Sequence, residues 1–178
     1  MEQLATRLVS ALQAVQRTGP YFLGGFSFGN MVAYEMAQQL NSKGEHVALL
    51  VIIDALDPDD EPRRFRPVQR VRSRVMRFLL GKPSASRVAR ARELADQAGQ
   101  MGAEYRPLPY DGHTLVVEST DSDDDSSPRW SPELTGPVER LHLDGTHLSM
   151  LGPENAVVIA ARIDTLVERL FAPPTGSP

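Results

Sequence analysis

The segment Gly25-Phe26-Ser27-Phe28-Gly29 constrains this chain more than any other. It fits the pattern G-x-S-x-G, and its flanks supply what that pattern needs. Tyr21-Phe22-Leu23 before it reads as a short buried strand, and Met31 to Leu40 after it reads as a helix. A serine placed at a sharp strand-to-helix turn projects its hydroxyl above the sheet, while the glycines let the backbone close in around it. The helix N-terminus then faces the place where an oxyanion would form.

The rest of the chain extends the alternation of strands and helices. Leu4, Leu8, Leu12 and Val15 form one face of an opening helix that Gly19-Pro20 ends. After the elbow comes a helix with Val32, Met36 and Leu40 inward and Gly44 as its stop signal. Val47 to Ile53 is an unbroken apolar run ending at Asp54, which suits a parallel strand buried on both faces. Strands follow at Leu115 to Glu118 and Val138 to Leu143, the latter leading into Asp144-Gly145-Thr146-His147. A last helix, from about Asn155 to Leu170, turns Ile159, Ile163, Leu166 and Leu170 inward. The tail from Pro173 to Pro178 is expected to be disordered. This order predicts one α/β domain over residues 1–178, with a mostly parallel sheet. Residues 58–109 break the alternation and read as a helical insertion over the carboxyl ends of the strands, where open α/β sheets carry their sites.

Composition narrows the function classes. The chain has 178 residues, 41% of them hydrophobic, but no apolar stretch long enough to span a bilayer. It has no cysteine, which excludes disulfides and thiolate metal sites and fits a cytoplasmic protein. No histidine pair has metal-ligand spacing, so neither a metal nor another cofactor is expected. The net charge of −4 hides an asymmetry: Arg63 to Arg92 holds ten arginines, one lysine and no acid, while Asp121 to Asp125 is strongly acidic. Only Phe65 and Phe78 interleave with the arginines, and the acidic remainder would repel phosphates, which argues against nucleic acid.

A serine nucleophile needs a base, and the base needs an orienting acid. Asp54 ends the strand next to the elbow strand, which brings it near Ser27. His147 lies in a loop beyond a strand's carboxyl end. His46 and His113 precede strands, and His142 lies within one. The chain order is Ser27, Asp54, His147. Two alternatives stand beside Asp54. It can be a turn cap in Asp54-Ala55-Leu56-Asp57-Pro58, and Asp121 or Asp123, one strand later, can be the acid instead.

Pro20 to Gly29, with Val32-Ala33-Tyr34-Glu35-Met36-Ala37 behind it, resembles the elbow of the thioesterase domains of nonribosomal peptide and polyketide synthases. Val47 to Asp54, Trp130-Ser131 and Gly145-Thr146-His147-Leu148-Ser149-Met150-Leu151 resemble that family's next strand, its approach to the penultimate strand and its histidine loop. The resemblance implies an α/β-hydrolase fold with the insertion as a variable lid, and Asp54 as the acid. It further implies an acyl or peptidyl carrier protein as partner and no membrane. The implied activity is release of a carrier-bound acyl chain by hydrolysis or cyclisation. Ser27, Asp54 and His147 would be catalytic, the Phe28 N–H an oxyanion donor, and Phe26 a substrate contact. A stand-alone editing thioesterase or esterase, or a non-catalytic binding module, is the alternative. The family has several strands before the helix that opens this chain, whereas 26 residues precede Ser27 here. The expectation is an N-terminally truncated domain, with a second oxyanion donor unaccounted for and an apolar edge strand prone to self-association. Asn30 stands where that family usually has glycine.

Overall fold

A computed structural model of the chain describes residues 1–54, 85–120, 133–147 and 149–172. The first stretch of the basic segment, the acidic loop with Asp121, Asp123 and Trp130-Ser131, and the tail from Pro173 lie outside the described residues. The chain divides into two units, residues 1–55 with 107–178, and residues 56–106.

The first unit is built on four parallel strands in the spatial order β1 (Tyr21–Phe26), β2 (Val47–Ile53), β3 (Thr114–Ser119) and β4 (Val138–Leu143). Spatial order equals chain order, so every connection returns to the same end of the sheet before the next strand begins. The strand ends at Phe26, Ile53, Ser119 and Leu143 therefore share one edge, through the registers Phe26↔Ile53, Ile53↔Val117 and Ser119↔Leu143. Among the described residues β1 is bonded to β2 alone.

Side-chain alternation divides the apolar strands between two helical layers. On one face Leu49, Val51, Leu115 and Val117 meet Ile159 and Leu166 of the last helix, α4 (Pro153–Phe171), with Met150 filling the gap ahead of it. Ile163 and Leu170 pack against the same cluster. Pro153 occupies the first turn of α4, where a missing N–H costs nothing, so the helix starts two residues earlier than its apolar periodicity suggests. Arg162 and Arg169 of α4 both pair with Glu139 of β4.

The opposite face is served by α1 (Glu2–Val15) and α2 (Phe28–Ser42). α2 is buried almost all round, through Met31, Val32, Ala33, Tyr34, Ala37 and Leu40, because it lies against both the sheet and α1. Tyr34 is fully buried, and its hydroxyl lies 2.7 Å from Leu108 O and 3.1 Å from Glu133 O. α1 does not bury the face its leucines outline. Its buried residues are Ala5 and Val9, while Leu8 is 40% and Val15 is 90% exposed. α1 packs against α2, and the small Ala5 in its buried stripe permits a close approach of helix axes.

In the second unit the described residues form one long helix, α3 (Ala85–Glu104). Its Arg90–Glu93 ion pair, at 2.8 Å, is exposed at both ends. Such a pair contributes little to stability.

Candidate active site

Ser27 takes the backbone angles φ 56° and ψ −126°, a conformation that residues with a Cβ rarely adopt. It is the turn between β1 and α2, and its N–H still donates to Ile53 O at 3.3 Å before the chain leaves the sheet. A side chain at Gly25 is excluded, since a Cβ there would lie 2.3 Å from the Gly29 carbonyl group and 2.5 Å from Asn30 N. Gly29 itself has open space where a Cβ would sit. Of the motif's two glycines, the first is therefore the one that packing demands. Phe28 begins α2, so its N–H belongs to the first turn, whose donors find no intrahelical partner.

Asp54 directly follows β2 and is, after Ser27, the second non-glycine among the described residues with positive φ, 47°. Its N–H donates to Val117 O at 2.7 Å, and one carboxylate oxygen accepts from Ser119 N at 3.3 Å. The other oxygen lies 2.5 Å from Nδ1 of His147. A carboxylate only accepts hydrogen bonds, so the shared proton belongs to Nδ1, leaving Nε2 as the basic nitrogen. Burial pushes the Asp54 carboxyl upward, but the His147 hydrogen bond and charge, together with the Ser119 N–H, outweigh it and hold the group below its ordinary value. Both side chains are mostly covered, 22% exposed for His147 and 14% for Asp54, so the pair is only partly screened by water.

The His147 loop is shaped by Gly145, whose φ of 128° favours glycine. A Cβ at Gly145 would also strike Ser149 Oγ at 2.3 Å. That oxygen accepts from Thr146 N at 2.9 Å, and Ser149 N donates back to Thr146 O at 2.9 Å. Asn155, in the first turn of α4, reaches Asp144 O at 3.1 Å and Ser149 O at 3.3 Å. The loop carrying His147 is thus braced from inside and from the helix behind it. Ser149 lies inside the histidine-loop motif read from sequence and Asn155 at the start of the last helix as read there, but the residue pattern alone gives neither a bracing role.

Phe26, read from sequence as a substrate contact, stacks on the His147 ring, with centroids 4.6 Å apart and planes at 22°. One of its faces is therefore taken by the imidazole. The stack also brings His147 against the residue preceding Ser27. Among the described residues no hydrogen bond joins Ser27 Oγ to the ring, so the formed part of the constellation is the Asp54–His147 pair beside the elbow. Asp121 and Asp123 lie outside the described residues. His46 and His113 precede β2 and β3, and His142, one residue before the end of β4, faces Glu118 at 3.5 Å. Among the described residues no group of three or more histidine, aspartate or glutamate side chains converges to hold a metal, and no helix is long and apolar enough to cross a membrane.

The chain is 28% identical over 94% of its length to vanchrobactin synthetase VabF of Vibrio anguillarum. It is 26% identical over 95% of its length to malpibaldin synthetase of Mortierella alpina. It spans only 6% and 3% of those synthetases. Among solved structures, the NocB thioesterase domain in covalent complex with a fluorophosphonate nocardicin G analog superposes with a TM-score of 0.76 at 29% identity. That match covers 93% of this chain and 74% of the NocB chain. The thioesterase domain family model matches residues 1–167, and the parallel sheet accords with the fold of that solved relative: this chain belongs to the thioesterase domain family, hydrolases of the α/β-hydrolase type.

Proposed function

We propose that this domain releases an acyl, peptidyl or polyketide chain from the phosphopantetheine thioester of a carrier protein, by hydrolysis or by cyclisation. The observation that carries the reading is the 2.5 Å contact between Asp54 and His147 Nδ1 beside the Ser27 elbow. That contact leaves His147 Nε2 as the base. Ser27 Oγ attacks the thioester carbonyl while Nε2 takes its proton. The Phe28 N–H faces the oxyanion that develops, and the negative charge of Asp54 stabilises the imidazolium. Collapse breaks the carbon–sulfur bond, and the departing thiolate takes the proton from Nε2. An ester on Ser27 remains. Water, or a hydroxyl or amine of the acyl chain itself, then gives a proton to Nε2 and attacks the ester carbonyl. Release of the product returns that proton to Ser27 Oγ. The carrier as partner is supported by the relatives, which are multidomain synthetases.

A fluorophosphonate probe tests the reading, because only an activated serine reacts with it. Intact mass and peptide mapping should place one phosphonate on Ser27, and Ser27→Ala should take none. A carrier-bound acyl thioester should be discharged by the parent protein and not by Ser27→Ala. Absence of labelling, or labelling at another residue, would overturn the assignment of Ser27.

A further inference from the structure

Asn30 is 1% exposed, on the first turn of α2, and its buried polar side chain reaches the strand carrying Asp54 from the elbow side. Its amide meets both backbone groups of a single residue: Nδ2 donates to Ile53 O at 2.9 Å, and Oδ1 accepts from Ile53 N at 3.0 Å. Ile53 O also accepts from Ser27 N. β1 has turned away into α2 at Ser27, so the side-chain amide continues the pairing that the strand backbone has abandoned. Ile53 immediately precedes Asp54, whose positive φ fixes where its carboxylate points.

We infer that Asn30 is a positioning residue that clamps the nucleophile's helix to the end of the acid's strand, so that Ser27 and the Asp54–His147 pair keep one relative placement. The inference rests on the assignment of Ser27 as nucleophile given above. Two hydrogen bonds to the N–H and C=O of one residue fix both distance and direction, which a single bond or an apolar contact does not. A glycine at this position leaves room but no clamp. A buried asparagine with neither partner would be costly, so its presence here is explained by the pairing it makes. Asn30 acts through Ile53, to which its side-chain amide is bonded.

The test measures how the fluorophosphonate reacts with the parent domain and with Asn30→Ala and Asn30→Ser, separating the maximal inactivation rate from the probe's half-saturating concentration. Thermal melting checks folding. Misplacement by about 1 Å can cost about 10²-fold. Both variants are therefore expected to melt as folded proteins, to lose about 10- to 100-fold in maximal inactivation rate, and to keep the half-saturating concentration. Amide exchange at Ile53 should quicken in both. Parental inactivation rates in the folded variants would overturn the clamp while leaving Ser27 as nucleophile. A change confined to half-saturation would move Asn30 to substrate binding and also overturn it. Failure of both variants to fold would make Asn30 a residue of stability alone. A parent that takes no label would overturn the nucleophile assignment, and the clamp with it.

Discussion

Replacing Asp54 by asparagine separates catalysis from stability at a single atom. Asparagine is the substitution to make, because position 54 has a φ of 47° that Asn tolerates and alanine does not. The amide oxygen can still accept from Ser119 N, and the backbone bond from residue 54 to Val117 O is untouched. What disappears is the negative charge 2.5 Å from His147 Nδ1. The lost charge-assisted hydrogen bond is worth about 1.5–3 kcal/mol. It is offset by no longer burying a carboxylate that is 14% exposed. The net stability change is therefore expected within about 1–2 kcal/mol. Catalysis suffers more. With charge centres about 4 Å apart, an effective dielectric constant of about 20 gives about 4 kcal/mol of imidazolium stabilisation. An amide N–H turned toward Nδ1 also favours the wrong tautomer, and losses of about 10⁴-fold in kcat follow such a change. That factor corresponds to about 5 kcal/mol, in line with the Coulomb figure. Turnover of a small acyl-pantetheine thioester measures the catalytic loss, and urea unfolding the stability change. Turnover within about tenfold of the parent would refute the reasoning, above all if Asp123→Asn lost activity in its place.

Three further outcomes follow from the same geometry. Ser27→Gly should unfold at higher denaturant than Ser27→Ala, by about 1 kcal/mol, because only glycine relieves the positive φ; equal stabilities would show that the elbow is unstrained. Gly25→Ala should cost more than about 2 kcal/mol or prevent folding, since its Cβ meets backbone atoms at 2.3 Å that cannot rotate away, whereas Gly29→Ala, facing open space, should be tolerated in a urea melt. The depressed Asp54 carboxyl makes stability pH-dependent: its contribution is complete above the ordinary value of 3.8, fades as pH falls below it, and is gone once the folded-state value is passed, so acid unfolding curves of parent and Asp54→Asn should converge at low pH.

Much of this arrangement is legible in the residues. The elbow is local, with motif, strand and helix adjacent, and β2 announces itself as seven apolar residues in a row. His147 is found by asking which histidine follows a strand rather than precedes it; the same question leaves Asp54, Asp121 and Asp123 open, the family resemblance favours Asp54, and the structure brings Asp54 and His147 together. What sequence does not show is set by partners far along the chain. The leucine stripe of α1 predicts one face, yet the residues it buries are Ala5 and Val9, and the helix it packs on, α2, is set by the fold rather than by that stripe. Asn30 looks like an unremarkable substitution in a helix until Ile53, 23 residues on, supplies both its partners. Ser149 and Asn155 brace the histidine loop through backbone carbonyls, which leave no periodic trace.

The span of the Asp54–His147 bond bears on how the molecule folds. The two residues are 93 positions apart, against 23 for the Asn30–Ile53 contact. Loop-closure entropy makes the longer closure costlier by about 1 kcal/mol. Each strand adds beside its predecessor in chain order, and His147 follows the last of them. Refolding can therefore recover strand and helix signals before β4 docks, but it cannot recover the acid–base pair. Regain of serine reactivity should trail regain of circular dichroism, which makes covalent labelling a clock for the final step of assembly.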